Sequence, residues 1–206
     1  MTLIERWSRH LRYGHPIVVV SGLPRSGTSM AMKMLQAGGL PLLTDGARAA
    51  DDSNLDGYFE FEPVKELDKQ GDLSWLRRAR GKAVKVISWL VTWLPDTYDY
   101  RVVFMQRELD EVIASQNTML LRRSEHQRIE DAARMRHIYA DHLQQVQHFL
   151  AHRRCFTTVI VNYRDVLERP SVEARRLAEF LHRPLDIDLM AAAVDPRLYR
   201  SRREGR

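Results

Sequence analysis

Residues 17–29 read Ile17-Val18-Val19-Val20-Ser21-Gly22-Leu23-Pro24-Arg25-Ser26-Gly27-Thr28-Ser29. The four β-branched residues that open this stretch predict a central strand buried on both faces, as a parallel sheet requires. Thr28 to Ala37, rich in Met, Ala and Leu, predicts a helix closed by Gly38-Gly39. Between them, Gly22 and Gly27 have the spacing of a P-loop, a glycine-rich turn from strand to helix. Glycine lets the backbone approach an anion and take positive φ. The N–H groups of the helix start, aided by the helix dipole, then hold that anion. Thr28 and Ser29 add hydroxyl donors.

The loop departs from the triphosphatase pattern at one place. That pattern carries a lysine immediately before the Ser/Thr, whereas here Thr28 follows Gly27 directly. The cation inside the loop is Arg25, whose planar guanidinium grips an oxyanion with two parallel bonds. The expected ligand is therefore a phosphate-like group without the magnesium–triphosphate geometry. Gly22, Pro24, Arg25, Ser26, Gly27, Thr28 and Ser29 form the candidate binding loop.

Outward from this loop, strands and helices alternate. Arg101 to Met105 and Phe156 to Val161 predict two further strands, and Ala83 to Ile87 a strand running into a helix that Pro95 stops. Helices are expected over 1–13, 64–80, 108–121, 125–151 and 171–181, and a long loop over 40–63. The alternation predicts an α/β domain of the P-loop type: three layers, with a mostly parallel central sheet between helices. There is no internal repeat and no domain boundary, so residues 1–206 are expected to form a single domain with a basic tail at about 197–206.

Composition narrows the function classes. The hydrophobic fraction is 44% and the charged fraction 29%, typical of a globular chain. Of the net charge of +5, the last ten residues contribute +4 through five Arg and one Glu. The rest of the chain is nearly neutral, so no nucleic-acid partner is expected. No apolar run approaches the roughly 20 residues of a membrane helix. A lone Cys155 argues against a disulfide framework. With no secretory signal pattern in residues 1–7, a cytoplasmic location is expected.

A second anion site is expected at Arg107, which follows the 101–105 strand, and at Ser115, eight residues on. Carboxyl ends of parallel strands are where open α/β sheets bind ligands, and Ser115 stands about two helical turns along, within reach of the same cleft.

The loop, the Arg107/Ser115 pair and the segment Val161-Asn162-Tyr163-Arg164-Asp165-Val166-Leu167-Glu168-Arg169-Pro170, running into Phe180-Leu181, together resemble the sulfotransferases that use 3′-phosphoadenosine-5′-phosphosulfate (PAPS). The resemblance covers about residues 17–181. It implies that the loop grips the 5′-phosphosulfate and that Arg107 and Ser115 grip the 3′-phosphate of this co-substrate. It implies transfer of a sulfuryl group to a hydroxyl or amine on a small-molecule or glycan acceptor, with no metal required. Arg25 would neutralise charge on the departing phosphate. Lys85 would polarise the bridging oxygen, since related enzymes place a lysine there; Lys82 competes, and Lys85-Val86-Ile87 lacks the proline common in that family. Gly57-Tyr58-Phe59-Glu60 is similar to a motif of bacterial members and implies Glu60 as the base, with Asp45, Asp51, Asp52 and Glu62 as competitors. Glu60 and Glu62 are expected to share one face of an extended strand. Tyr163, Trp89 and Tyr58 are candidate adenine platforms, and Arg197 and Arg200 candidate phosphate contacts. His148 and His152 lie one turn apart but have no third ligand in the sequence. The alternatives are a P-loop small-molecule kinase or nucleotidase, and a nucleotide-binding protein of this fold without activity.

Overall fold

The computed structural model describes residues 14–45, 59–69, 71–122 and 132–195, with 121 and 122 described by backbone alone. The 1–13 helix, Asp51, Asp52, Tyr58, Arg197, Arg200 and the basic tail lie outside these residues. Strands β1 (Ile17–Gly22), β2 (Ala83–Lys85), β3 (Tyr100–Gln106) and β4 (Phe156–Asn162) form, among the described residues, one sheet in the order β2-β1-β3-β4. Every pairing is parallel, with Val20 opposite both Lys85 and Val103, and Gln106 opposite Asn162.

Alternation along the strands divides the core. Ile17, Val19, Val102 and Phe104 face one layer, where they meet helices α2 (Trp75–Ala79), α3 (Ser88–Val91) and the long α5 (Ala132–His152). Val18, Val20, Val103 and Met105 face the other, against α1 (Thr28–Ala37), α6 (Tyr163–Glu168), α7 (Pro170–Leu181) and α8 (Ile187–Ala192). A smaller cluster joins Leu23 of the loop to Val112 and Ile113 of α4 (Leu109–Arg122) and to Tyr139 of α5. This is the three-layer α/β arrangement that the sequence predicts. The order also fixes the ligand crevice. The chain leaves β1 toward β2 on one side and β3 lies on the other, so the strand order reverses between β1 and β3, at the carboxyl edge.

Several elements differ from expectation. The single helix expected over 64–80 is a 3-10 helix (Glu62–Lys69) followed by α2. Gly71 interrupts it, and the Asp72 carboxylate accepts bonds from the Ser74 N–H and hydroxyl at 2.8 and 2.7 Å, which starts a new turn. The 83–87 strand stops at Lys85, and its helix is only Ser88–Val91. Tyr163–Glu168, outside the helices expected from the sequence, is helix α6. Leu42 and Leu43, expected to be loop, run beside the outer edge of β2: Leu42 bridges Ala83, and the Leu43 N–H donates to the Ala83 carbonyl at 2.8 Å.

Leu177 is fully buried where α7 covers the sheet. Leu177→Ala is expected to cost about 2–5 kcal/mol through lost burial and a residual cavity. Urea unfolding checks this; a loss under about 1 kcal/mol would show that α7 does not close the core.

Candidate functional site

The loop after β1 has the backbone that its glycines predict. Gly22 has φ 146 and Gly27 φ 100, and Arg25, unusually for a non-glycine residue, has φ 71. A β-carbon on Gly22 would stand 2.5 Å from both the Met105 carbonyl and Ser26 Oγ, and one on Gly27 2.5 Å from Tyr163 Cδ2. Both positions therefore require glycine for space as well as for conformation. Gly27 is the N-cap of α1, with no side chain capping the helix start and no acidic residue in its first turn. Such a start presents unsatisfied N–H groups and positive potential to an anion.

Two cations converge on this turn from neighbouring strand ends. Lys85, at the carboxyl end of β2, donates from Nζ to Ser29 Oγ at 3.4 Å. Lys82 precedes β2 at the opposite, amino edge, so Lys85 is the lysine on the loop side. Arg107 follows β3, and its side chain is only 8% exposed. It donates from one terminal nitrogen to the Arg25 carbonyl at 3.2 Å and from Nε to Glu111 at 2.9 Å. Its guanidinium carbon lies 4.4 Å from the centroid of the Tyr163 ring. Arg25 in turn donates from Nε to Ser115 Oγ at 3.0 Å. Arg25, 82 residues from Arg107 and 90 from Ser115, thus joins both in one hydrogen-bonded cluster at the β1/β3 crevice.

The cluster changes several assignments. The Arg25 side chain reaches Ser115, the serine of the expected second anion site. Ser26 turns inward: its hydroxyl is buried with no hydrogen-bond partner among the described residues, and its N–H closes the turn onto the Leu23 carbonyl at 3.1 Å. Tyr163 is not available as an adenine platform, since it is buried, with Arg107 over its ring and Gly27 at its edge. Trp89 has one face covered by the His142 ring, parallel at 4.0 Å.

The described candidate bases, Asp45, Glu60 and Glu62, lie close together, the Glu62 N–H donating to the Asp45 carboxylate at 2.6 Å. The Thr44 hydroxyl and the Asp45 N–H both donate to the Glu60 carbonyl, at 2.8 and 3.2 Å. Glu60 and Glu62 do not share an extended strand, because Glu62 opens the 3-10 helix. They converge instead on Lys65, with oxygens 3.4 and 2.6 Å from its Nζ. His148 and His152 stack on each other, and among the described residues no group of three or more His, Cys, Asp or Glu is placed to hold a metal ion.

Sequence reasoning missed Glu111, Arg164 and His142. Glu111 is legible in retrospect, since it stands four residues after Arg107 on a helix face, the spacing of an ion pair. His142 carries no sequence signal of its own. Its Nε2 lies 2.9 Å from the Oγ of fully buried Ser88, three residues past Lys85. Trp89 packs edge-on against Tyr139, whose hydroxyl donates to Gln116, the neighbour of Ser115, at 2.7 Å. A chain of contacts thus links Ser88 through His142, Trp89 and Tyr139 to Gln116.

No protein-family model matches the chain, and no curated protein matches it. Solved structures do. The sulfotransferase domain from the curacin biosynthetic pathway matches with a TM-score of 0.52 at 16% identity, over 89% of each chain. Retinol dehydratase, solved in a complex with retinol and PAP, matches with a TM-score of 0.50 at 16% identity, over 90% of this chain and 65% of that one. The chain therefore has a sulfotransferase-like fold.

Burial holds the His142 ring below its ordinary value of 6.5, because the charged form loses hydration. Its effect on stability follows: the folded state binds the proton less readily than the unfolded chain, so stability falls as pH drops below 6.5. The His142 resonances followed by NMR against pH are expected to show a midpoint under 6.5, and a midpoint above it would contradict the burial of this ring.

Proposed function

We propose that this protein is a PAPS-dependent sulfotransferase that moves a sulfuryl group to a hydroxyl or amine acceptor. The observation that carries the reading is the joining of two anion seats. The uncapped start of α1 and the Arg25–Ser115–Arg107 cluster lie together at the crevice where the strand order reverses. Two separate phosphate-bearing positions on one adenosine suit this pair better than a single metal-bridged polyphosphate chain.

The donor set fits the nucleotide. The loop N–H groups, Thr28 and Ser29 would hold the 5′ side, and Arg107, with Arg25 and Ser115, the 3′-phosphate. When bound, the nucleotide supplies the sulfuryl group and a phosphate leaving group. By analogy with phosphoryl transfer, the protein contributes positioning and charge stabilisation. Lys85, within 3.4 Å of Ser29 Oγ, is assigned to the charge that grows on the bridging oxygen. Glu60 is assigned to the acceptor proton, with Asp45 and Glu62 as competitors. The acceptor is taken to be a small molecule or a glycan, in line with the retinol complex of the similar structure. Among the described residues no helix is long and apolar enough to cross a membrane. A single cytoplasmic domain is part of the same proposal.

Calorimetric titration without magnesium tests it. 3′-Phosphoadenosine 5′-phosphate is expected to bind more tightly than ATP or AMP, and Arg25→Ala and Arg107→Ala each to weaken it by about tenfold or more, the value of a charged hydrogen bond. Tighter, magnesium-dependent ATP binding would favour a kinase or nucleotidase. Bisphosphate binding without sulfate transfer to any screened acceptor would favour an inactive nucleotide-binding protein.

A further inference from the structure

Residues 77–82 read Arg77-Arg78-Ala79-Arg80-Gly81-Lys82 and put four cations just ahead of β2. They stand at the amino edge of the sheet, where Gly14-His15-Pro16 lead into β1 and Tyr98 precedes β3. The six residues of β1, at about 3.3 Å each, put this edge about 20 Å from the loop that follows β1.

Arg80 is the unusual member. Its side chain is partly buried, and its Nε is buried with no hydrogen-bond partner. Its guanidinium carbon lies 5.3 Å from the centroid of the Tyr98 ring. Among the described residues the side chain makes no hydrogen bond and no ion pair. A guanidinium carries five N–H donors and a permanent charge, and withdrawing it from water is costly unless acceptors meet it. A ring face offsets only part of that cost.

Arg183, two residues past α7, approaches the same place, and its side chain too is partly buried. A β-carbon on Gly81 would stand 3.1 Å from one of its terminal nitrogens, and one on Gly14 3.7 Å from a terminal nitrogen of Arg80. The Gly81 N–H donates to the Pro16 carbonyl at 3.1 Å, so the two guanidinium groups flank one pair of adjoining turns. The Arg183 and Lys82 side chains likewise have no hydrogen bond or ion pair among the described residues. Nearby acids do not meet these cations. Asp96 and Asp99, on either side of Tyr98, pair with none of the three, and the Asp186 carboxylate accepts from the Leu189 N–H at 2.9 Å.

We propose that Arg80 and Arg183 form an oxyanion-binding site at the amino edge of the sheet, for a phosphate or sulfate group, separate from the crevice at the carboxyl edge. Planar guanidinium groups offer paired donors to such a group. Two of them, with Lys82 adjoining, suit a multiply charged tetrahedral anion better than a single carboxylate. The site stands apart from the nucleotide reading, and phosphate alone tests it.

The test uses the full chain and radiolabelled inorganic phosphate, with chloride keeping the ionic strength constant. By equilibrium dialysis, Arg80→Gln and Arg183→Gln are each expected to bind one phosphate fewer per chain than wild type over the same range, that site being weakened about tenfold or more. Both variants are expected to bind 3′-phosphoadenosine 5′-phosphate within about twofold of wild type, because the changes are remote from the crevice. Without phosphate, Arg80→Gln is expected to melt no lower than wild type, since the charge it removes is unmatched. Added phosphate is expected to raise the wild-type midpoint by more than that of the variant. Equal phosphate binding by wild type and both variants would overturn the site. So would a phosphate-free midpoint of Arg80→Gln well below wild type, which would make Arg80 a packing group of the Tyr98 turn. Co-sedimentation with phosphatidylcholine vesicles containing phosphatidic acid identifies the source of the anion. Capture of wild type but not of Arg80→Gln assigns the site to a lipid headgroup, and no capture assigns it to a soluble oxyanion; both agree with the proposal.

Discussion

The candidate site depends on the burial of Arg107. A guanidinium is costly to remove from water, and it stays buried only where its donors and its charge are met. Here Glu111 meets the charge, the Arg25 carbonyl takes a donor, and the Tyr163 ring covers a face. Each contact comes from a different element. Glu111 is on α4, Arg25 in the loop after β1, and Tyr163 at the start of α6. Arg107 therefore ties the loop after β1 to the ends of β3 and β4. Tyr163 strengthens the tie from below, because its ring occupies the space that a side chain at position 27 would need. The loop holds its shape through this framework, and the Arg25 side chain is directed to Ser115 as part of it.

The fold was legible where one local pattern dominates. The run Ile17 to Val20 is apolar on both faces and can only be central, and the glycine spacing that follows fixes a strand–turn–helix unit. Legibility failed where helices are short. Residues 163–168 form a helix although none is expected there. Pro170 then begins the next helix, with Arg169 at φ −137 between them, since the residue before proline is pushed out of the helical region. Helix α8, six residues long, exists because Met190 packs under Gly38 and the Asp186 side chain accepts from the Leu189 N–H. Neither contact leaves a periodicity to read.

Much the same division applies to the site. Arg25, Arg107 and Ser115 are legible because each sits in the turn after a strand or on the helix that follows it, whereas Lys85 follows only from the family resemblance. What was not legible is how they are joined. Arg25 and Ser115 lie 90 residues apart, and Arg164 and Glu111 lie 53 apart. Their meeting depends on the strand order, which residue types alone do not specify. Tyr163 and Trp89 are candidate stacking platforms in the sequence with core packing as the default, and in the fold one face of each ring is covered, by Arg107 and by His142.

The central claim is that the crevice between β1 and β3 holds two distinct phosphate seats. Phosphorus NMR of 3′-phosphoadenosine 5′-phosphate bound to the protein addresses it directly, because the two phosphates give separate resonances. Both are expected to shift and broaden on binding. If only the 5′ resonance moves while the 3′ resonance keeps its free-solution position, the second seat does not exist and the account fails.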